Sequence, residues 1–242
     1  GSEMCIRDRF SGWASGGKAY AETYDLNAMS GSAKKEDGIS AQEKIKLDDF
    51  DELQADLTIG DLNILPSGDD SCYLAWRIPS KKGETAVEYR VRDGVLSIEE
   101  TSAVSDTIYI NIDFTEEILS GGKQSETGVI LYVPEKKVLK KIEVTMGFGD
   151  VQMNGIQAES GRLQNADGDI TLFGCDMQNI KCKADYGDVE LKSGTWENGS
   201  ITLEDGDAKI QNTKLSGDVS VENKLETDCW MDIVTAHCFV VY

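Results

Sequence analysis

The chain is poor in the residues that most metal and catalytic sites require. It has one histidine, and its six cysteines (Cys5, Cys72, Cys175, Cys182, Cys229 and Cys238) contain no Cys-x-x-Cys pair. That combination argues against a zinc centre. Cysteines scattered through a chain of this length read as small buried apolar residues rather than as a disulfide framework. Basic residues are scarce too: 24 Lys and Arg stand against 44 Asp and Glu, a formal net charge of −20. Such a surface opposes nucleic-acid phosphates and anionic lipid, so nucleic acid is excluded as a partner. No apolar run approaches the roughly 20 residues of a membrane-spanning helix. No charged, apolar and small-residue succession marks a signal peptide. Proline is also rare, with three residues against 24 glycines. Little proline with much glycine suits many tight turns between hydrogen-bonded strands.

What the chain does have is an internal repeat. Gly-Asp pairs occur at Gly149-Asp150, Gly168-Asp169, Gly187-Asp188 and Gly206-Asp207, each 19 residues after the last. After each pair comes an alternating apolar pair: Val151/Met153, Ile170/Leu172, Val189/Leu191 and Ala208/Ile210. Alternation with period two marks a strand with one buried face. Five residues before each glycine stand Val144, Leu163, Cys182 and Ile201, and a third apolar group follows at Ile156, Cys175/Met177, Trp196 and Leu215. A single coil cannot bury these groups. Coils stacked at the parallel strand spacing of about 4.8 Å can. The expected fold is therefore all-β, a single-stranded parallel β-helix or β-roll with 19-residue coils over 142–228, preceded by antiparallel strands.

The glycines (Gly149, Gly168, Gly187 and Gly206) are expected at corners, where positive φ costs glycine nothing. The aspartates are expected to accept backbone N–H groups in those turns. Stacking also puts Asp150, Asp169, Asp188 and Asp207 in a column, where neighbours repel by about 1 kcal/mol in water. A calcium ion could relieve that repulsion, which makes these four the calcium candidates. The glycine-rich nonapeptide of calcium-binding β-rolls is absent.

Residues 46–141 hold a diverged copy of the signal in LQADLTIGDLNIL (53–65), where Gly60-Asp61 precedes Leu62 and Ile64. An earlier coil or edge strand is expected to start near residue 46. The stretches 73–77, 87–91, 95–98, 107–112 and 129–133 read as antiparallel strands, with a tight hairpin at Asp93-Gly94. The stretch 114–128, with Gly121-Gly122, reads as a mobile connection. Residues 1–45 read as non-fold sequence. Gly1-Ser2 looks like a tag scar, and 4–9 resemble a translated sequencing adapter. Residues 11–45 look like a linker or loose arm that Trp13, Tyr20 or Tyr24 could pin. At the far end, Val219 and Val221 open a fifth coil whose expected Gly-Asp is Leu225-Glu226. The tail 229–242 fits either a capping strand or the end of a longer array, and an open last coil invites self-association.

The strand and turn sequences ILYVPEKKVLKKIEVTMGFGDVQMNG (130–155) and YRVRDGVLSIEE (89–100), with the repeated Gly-Asp-(Val/Ile)-x-(Leu/Ile), carry a resemblance. Over about 46–228 the chain resembles a bacterial family labelled "putative adhesin", a domain of unknown function with β-helical Gly-Asp-Val repeats. The resemblance implies a β-helical module of the cell envelope or surface, often behind a membrane anchor. It supplies no catalytic residues and no cofactor.

Three functions compete. The first is a non-catalytic envelope or surface module that binds a macromolecular or glycan ligand or spaces domains. The second is a cytoplasmic scaffold or regulatory domain. The third is a polysaccharide-active enzyme, whose two carboxylates would stand about 5–9 Å apart. A uniform aspartate column and a net −20 charge weigh against the third.

Overall fold

The computed structural model describes residues 39–80, 85–101 and 127–224, together with the backbone of 229–235 and 238–241. Every element among them is a strand. No described helix is long and apolar enough to cross a membrane. The expected strand at 107–112 and most of the connection 114–128 lie outside the described residues, as do Trp13, Tyr20, Tyr24 and Leu225-Glu226.

The strands stack on three sides of one column. The first side runs through β2 (Glu52–Ile59), β6 (Val95–Glu100), β9 (Lys141–Phe148), β12 (Gly161–Asp167) and β15 (Ile180–Tyr186). It continues into the later part of β17 (Thr195–Asp205) and the end of β18 (Ala208–Asn223). The second side contains β3 (Asp61–Pro66), β7 (Gly128–Val133), β10 (Val151–Asn154), β13 (Ile170–Phe173), β16 (Val189–Lys192) and the start of β18. The third is built from β8 (Val138–Leu139), β11 (Gln157–Ala158), β14 (Asp176–Gln178), the start of β17 and the middle of β18.

Register explains the core. On the second side Val151 pairs with Ile170, Ile170 with Val189 and Val189 with Ala208, all in parallel. On the first, Val144 pairs with Leu163, Leu163 with Cys182 and Cys182 with Ile201. Ala158, Met177, Trp196 and Leu215 stand in register on the third. All of these side chains are buried in one continuous core. Burying a residue of Val, Leu or Ile size stabilises by about 1.5–3 kcal/mol, but only once a neighbouring rung covers it.

The diverged copy is the rung beneath the first regular coil. Leu53 pairs with Ile142, Ala55 with Val144, Leu62 with Val151 and Ile64 with Met153. Its strand begins at Glu52 rather than near residue 46.

The region expected to be antiparallel is of both kinds. β4 (Tyr73–Pro79) runs antiparallel to β7, and β5 (Val87–Arg92) antiparallel to β6. Asp93 and Gly94 form the hairpin turn at φ 53° and 79°. But β6 also lies parallel to β2, and β7 parallel to β3, which adds a further rung below. Apolar alternation shows which face of a strand is buried. It does not say which strand meets each edge.

Residues 39–45, expected as part of a loose arm, belong to β1 (Ile39–Lys46), antiparallel to β4 with an irregularity between Gln42 and Ile45. β1 is largely exposed and held by backbone pairing, so it shows no core alternation. Ser40 ties it inward: its Oγ accepts from the Trp76 Nε1–H and the Ala86 N–H, each at 3.2 Å. At the other end β19 (Cys229–Thr235) and β20 (Cys238–Val241) both pair in parallel with β18. The tail thus continues the stack along its backbone.

Candidate functional site

The Gly-Asp corners stand one above another, and the glycines are needed there for two reasons. Gly149, Gly168, Gly187 and Gly206 have φ of 129°, 133°, 136° and 149°. In addition, a Cβ on Gly168 would lie 2.2 Å from the Gly149 carbonyl oxygen, and one on Gly187 2.2 Å from that of Gly168. Corner backbone therefore packs directly on corner backbone.

The aspartates bind between rungs. The Asp169 N–H donates to Asp150 Oδ1 at 2.9 Å, Asp188 N–H to Asp169 Oδ1 at 2.8 Å, and Asp207 N–H to Asp188 Oδ1 at 2.9 Å. Asp61 extends the series downward, accepting from the Asp150 N–H at 2.9 Å. Each carboxylate thus holds the coil above it, rather than capping its own turn. At the foot of this corner Glu100 Oε2 accepts from the N–H groups of Thr58 and Ile59 at 2.6 and 2.8 Å.

The electrostatics of the column are uneven. Burial raises Asp61 above the ordinary carboxylate value, the Asp150 N–H opposes that, and the Asp150 charge adds to it. Burial also acts upward on Asp188, but a hydrogen bond from Lys209, the Asp207 N–H and the Lys209 charge outweigh it and hold Asp188 low. Among the described residues no group of three or more His, Cys, Asp or Glu is placed to hold a metal. The four calcium candidates stand in single file, and Asp150, Asp169 and Asp188 each accept a peptide N–H through Oδ1.

Sequence reasoning missed two further features. The first is an amide clip. Asn165 is buried among the inward residues, and its Nδ2 donates to the Gly149 carbonyl at 2.8 Å. Asn223 makes the same bond to Gly206 at 2.9 Å. The second is the outer face of the third side. Its outward residues form two columns across the rungs. In one, Val138, Gln157, Asp176, Thr195 and Lys214 are in register. The other contains Gln178, Glu197 and Ser216 in register, with Glu159 preceding them. Together they line an open groove of about 430 Å³. Thr195 Oγ1 donates to Asp176 Oδ1 at 2.7 Å, and Gln157 Nε2 to the Glu135 carbonyl at 3.3 Å. The signal was weak because these strands are two or three residues long and polar outside, much like loops. Only their single buried residue per rung, such as Met177 or Trp196, marks them.

The three cysteines with described side chains, Cys72, Cys175 and Cys182, are buried free thiols. Burial pushes the Cys175 thiol up to about 11 and Cys182 higher still. Neither has the lowered pKa of a nucleophile.

A column of parallel rungs defines the class: an all-β, solenoid-like domain. The family model Toastrack DUF4097 matches residues 50–228. The chain belongs to that family. No curated protein matches the sequence. Among solved structures it is similar to a "putative cell adhesion protein" from Clostridium sporogenes, at 12% identity and TM-score 0.45, covering 74% of this chain and 100% of that one. It is also similar to a "putative adhesin" from Parabacteroides distasonis, at 15% identity and TM-score 0.35, covering 85% of this chain and 98% of that one. A "putative lipid binding protein" from Parabacteroides distasonis matches at 14% identity and TM-score 0.28, covering 86% of this chain and 100% of that one.

Proposed function

We propose that this protein is a non-catalytic binding module of the bacterial cell envelope, a solenoid built on 19-residue coils that presents one polar face to a macromolecular ligand. The observation that carries this reading is the use to which the corner carboxylates are put. Asp61, Asp150, Asp169 and Asp188 each accept a peptide N–H from the next rung. These bonds make them part of the scaffold. A carboxylate pair for hydrolysis needs one member with a raised pKa facing substrate. Asp61, the aspartate raised by burial, is engaged in the stack instead. Among the described residues, the groove on the third side has the shape of a binding surface.

The test is co-sedimentation of the purified protein with isolated bacterial envelopes, with the supernatant assayed for released saccharide. Saturable sedimentation without product supports the module. Release of soluble product would overturn the non-catalytic reading, and no sedimentation at all would overturn envelope binding.

A further inference from the structure

We infer that the groove on the third side binds a linear glycan without acidic groups, laid along the column axis and crossing the rungs. This deepens the envelope-binding reading and rests on it. The groove spans five rungs, from Val138 to Lys214. At about 4.8 Å per rung that is about 19 Å of binding surface. It is an open groove of about 430 Å³.

The lining selects among ligand classes. Carboxylates at Glu159, Asp176 and Glu197 accept hydrogen bonds, and the amides of Gln157 and Gln178 both donate and accept. This mixture matches neighbouring sugar hydroxyls, which likewise donate and accept. Three carboxylates against the one ammonium of Lys214 repel an acidic chain, as does the net charge of −20. Val138 and Ala158 are the apolar residues of the lining, and Ala158 turns its side chain into the core. An extended peptide would dock by pairing with a free strand edge. Here β11 and β14 are paired on both edges. A peptide also advances about 3.3 Å per residue and drifts out of step with rungs about 4.8 Å apart.

Chitohexaose and cellohexaose are the neutral probes and hexagalacturonate the acidic one, titrated into the isotope-labelled protein by NMR. The expected result is saturable binding of at least one neutral hexamer, with shifts at Gln157, Gln178 and Glu197. Gln178→Trp, which fills the groove, and Glu197→Gln, which keeps its shape, should each weaken that binding at least tenfold. Thr145→Ala, on the exposed face of the first side, should not. Matching thermal transitions for wild type and Glu197→Gln keep the comparison valid if Gln178→Trp folds poorly. No binding of either neutral hexamer overturns the inference, as does tighter binding of hexagalacturonate or unchanged affinity in both groove variants. Envelope sedimentation separates the two readings. If wild type and Gln178→Trp sediment equally while no hexamer binds, the groove inference fails and the module stands. If wild type does not sediment, the module itself fails.

Discussion

Asp61 and Asp150 are 89 residues apart in the chain and one rung apart in the fold, with the Asp150 N–H donating to Asp61 Oδ1 at 2.9 Å. The same bond recurs between Asp150 and Asp169 with a separation of only 19 residues. One local device therefore closes both the regular coils and the long excursion between the diverged copy and the first of them.

At Asp169 the column should respond to loss of the acceptor rather than to loss of charge. Asp169→Ala leaves the Asp188 N–H without its partner at 2.8 Å. We expect a cost of about 1–2 kcal/mol in urea unfolding. Asp169→Asn keeps an oxygen acceptor and should recover most of it. Equal losses in the two variants would show that the carboxylate's role is electrostatic.

Corner glycines should differ from other glycines of positive φ. Gly187→Ala combines φ 136° with a Cβ 2.2 Å from the Gly168 carbonyl oxygen. It should cost about 3 kcal/mol or more, or prevent folding. Gly174, at φ 62°, has nothing nearer than 3.9 Å. Gly174→Asn should be nearly neutral, because asparagine tolerates the left-handed region. Thermal denaturation of the two variants checks this.

Asp61 and Asp188 should pull the pH dependence of stability in opposite directions. Asp188 is held below the ordinary value of 3.8, so its contribution is present above that value and is lost as pH falls through its folded pKa. Lys209→Met should therefore destabilise at pH 7, by about 0.5–1 kcal/mol, and the difference should vanish in acid. Asp61 is raised above 3.8 by burial, so its charge weakens the fold above its folded pKa, and the penalty fades as pH falls toward 3.8. Asp61→Asn keeps the acceptor for Asp150 and should stabilise at pH 7 but not in acid. Urea midpoints between pH 3 and pH 7 would reveal either sign reversed.

The buried thiols should be silent in the native state. Burial raises Cys72, Cys175 and Cys182. With iodoacetamide at pH 8, peptide mass mapping should find these three unmodified in the folded protein and alkylated in urea. Rapid native labelling of Cys182 would contradict its place inside the first side.

The second and third corners of each coil show where sequence reading stops. Gly155, Gly174, Ser193 and Asn212 occupy one left-handed corner at φ of 64°, 62°, 55° and 48°. Asn179, Asn198 and Gly217 hold another, at 50°, 50° and 68°. Several residue types tolerate that conformation, so no single letter repeats. The first corner admits only glycine, because a carbonyl of the rung below fills the space where a Cβ would sit. For that reason the Gly-Asp pair alone announced the period.

By itself the sequence determined the longer strands of the first two sides, their buried faces and the recurrence of the Gly-Asp corners, because alternation and corner sterics are local and repeat. It also determined that Gly60-Asp61 belongs with the later pairs. Only the tertiary structure decided that β6 and β7 lie parallel beneath β2 and β3, and that β1 completes the edge of β4. Strand edges carry the same peptide groups whatever the side chains, so pairing leaves little trace in composition. The groove was decided in the same way. Gln157, Asp176 and Thr195 are ordinary polar residues until the stack sets them one rung apart on a single face.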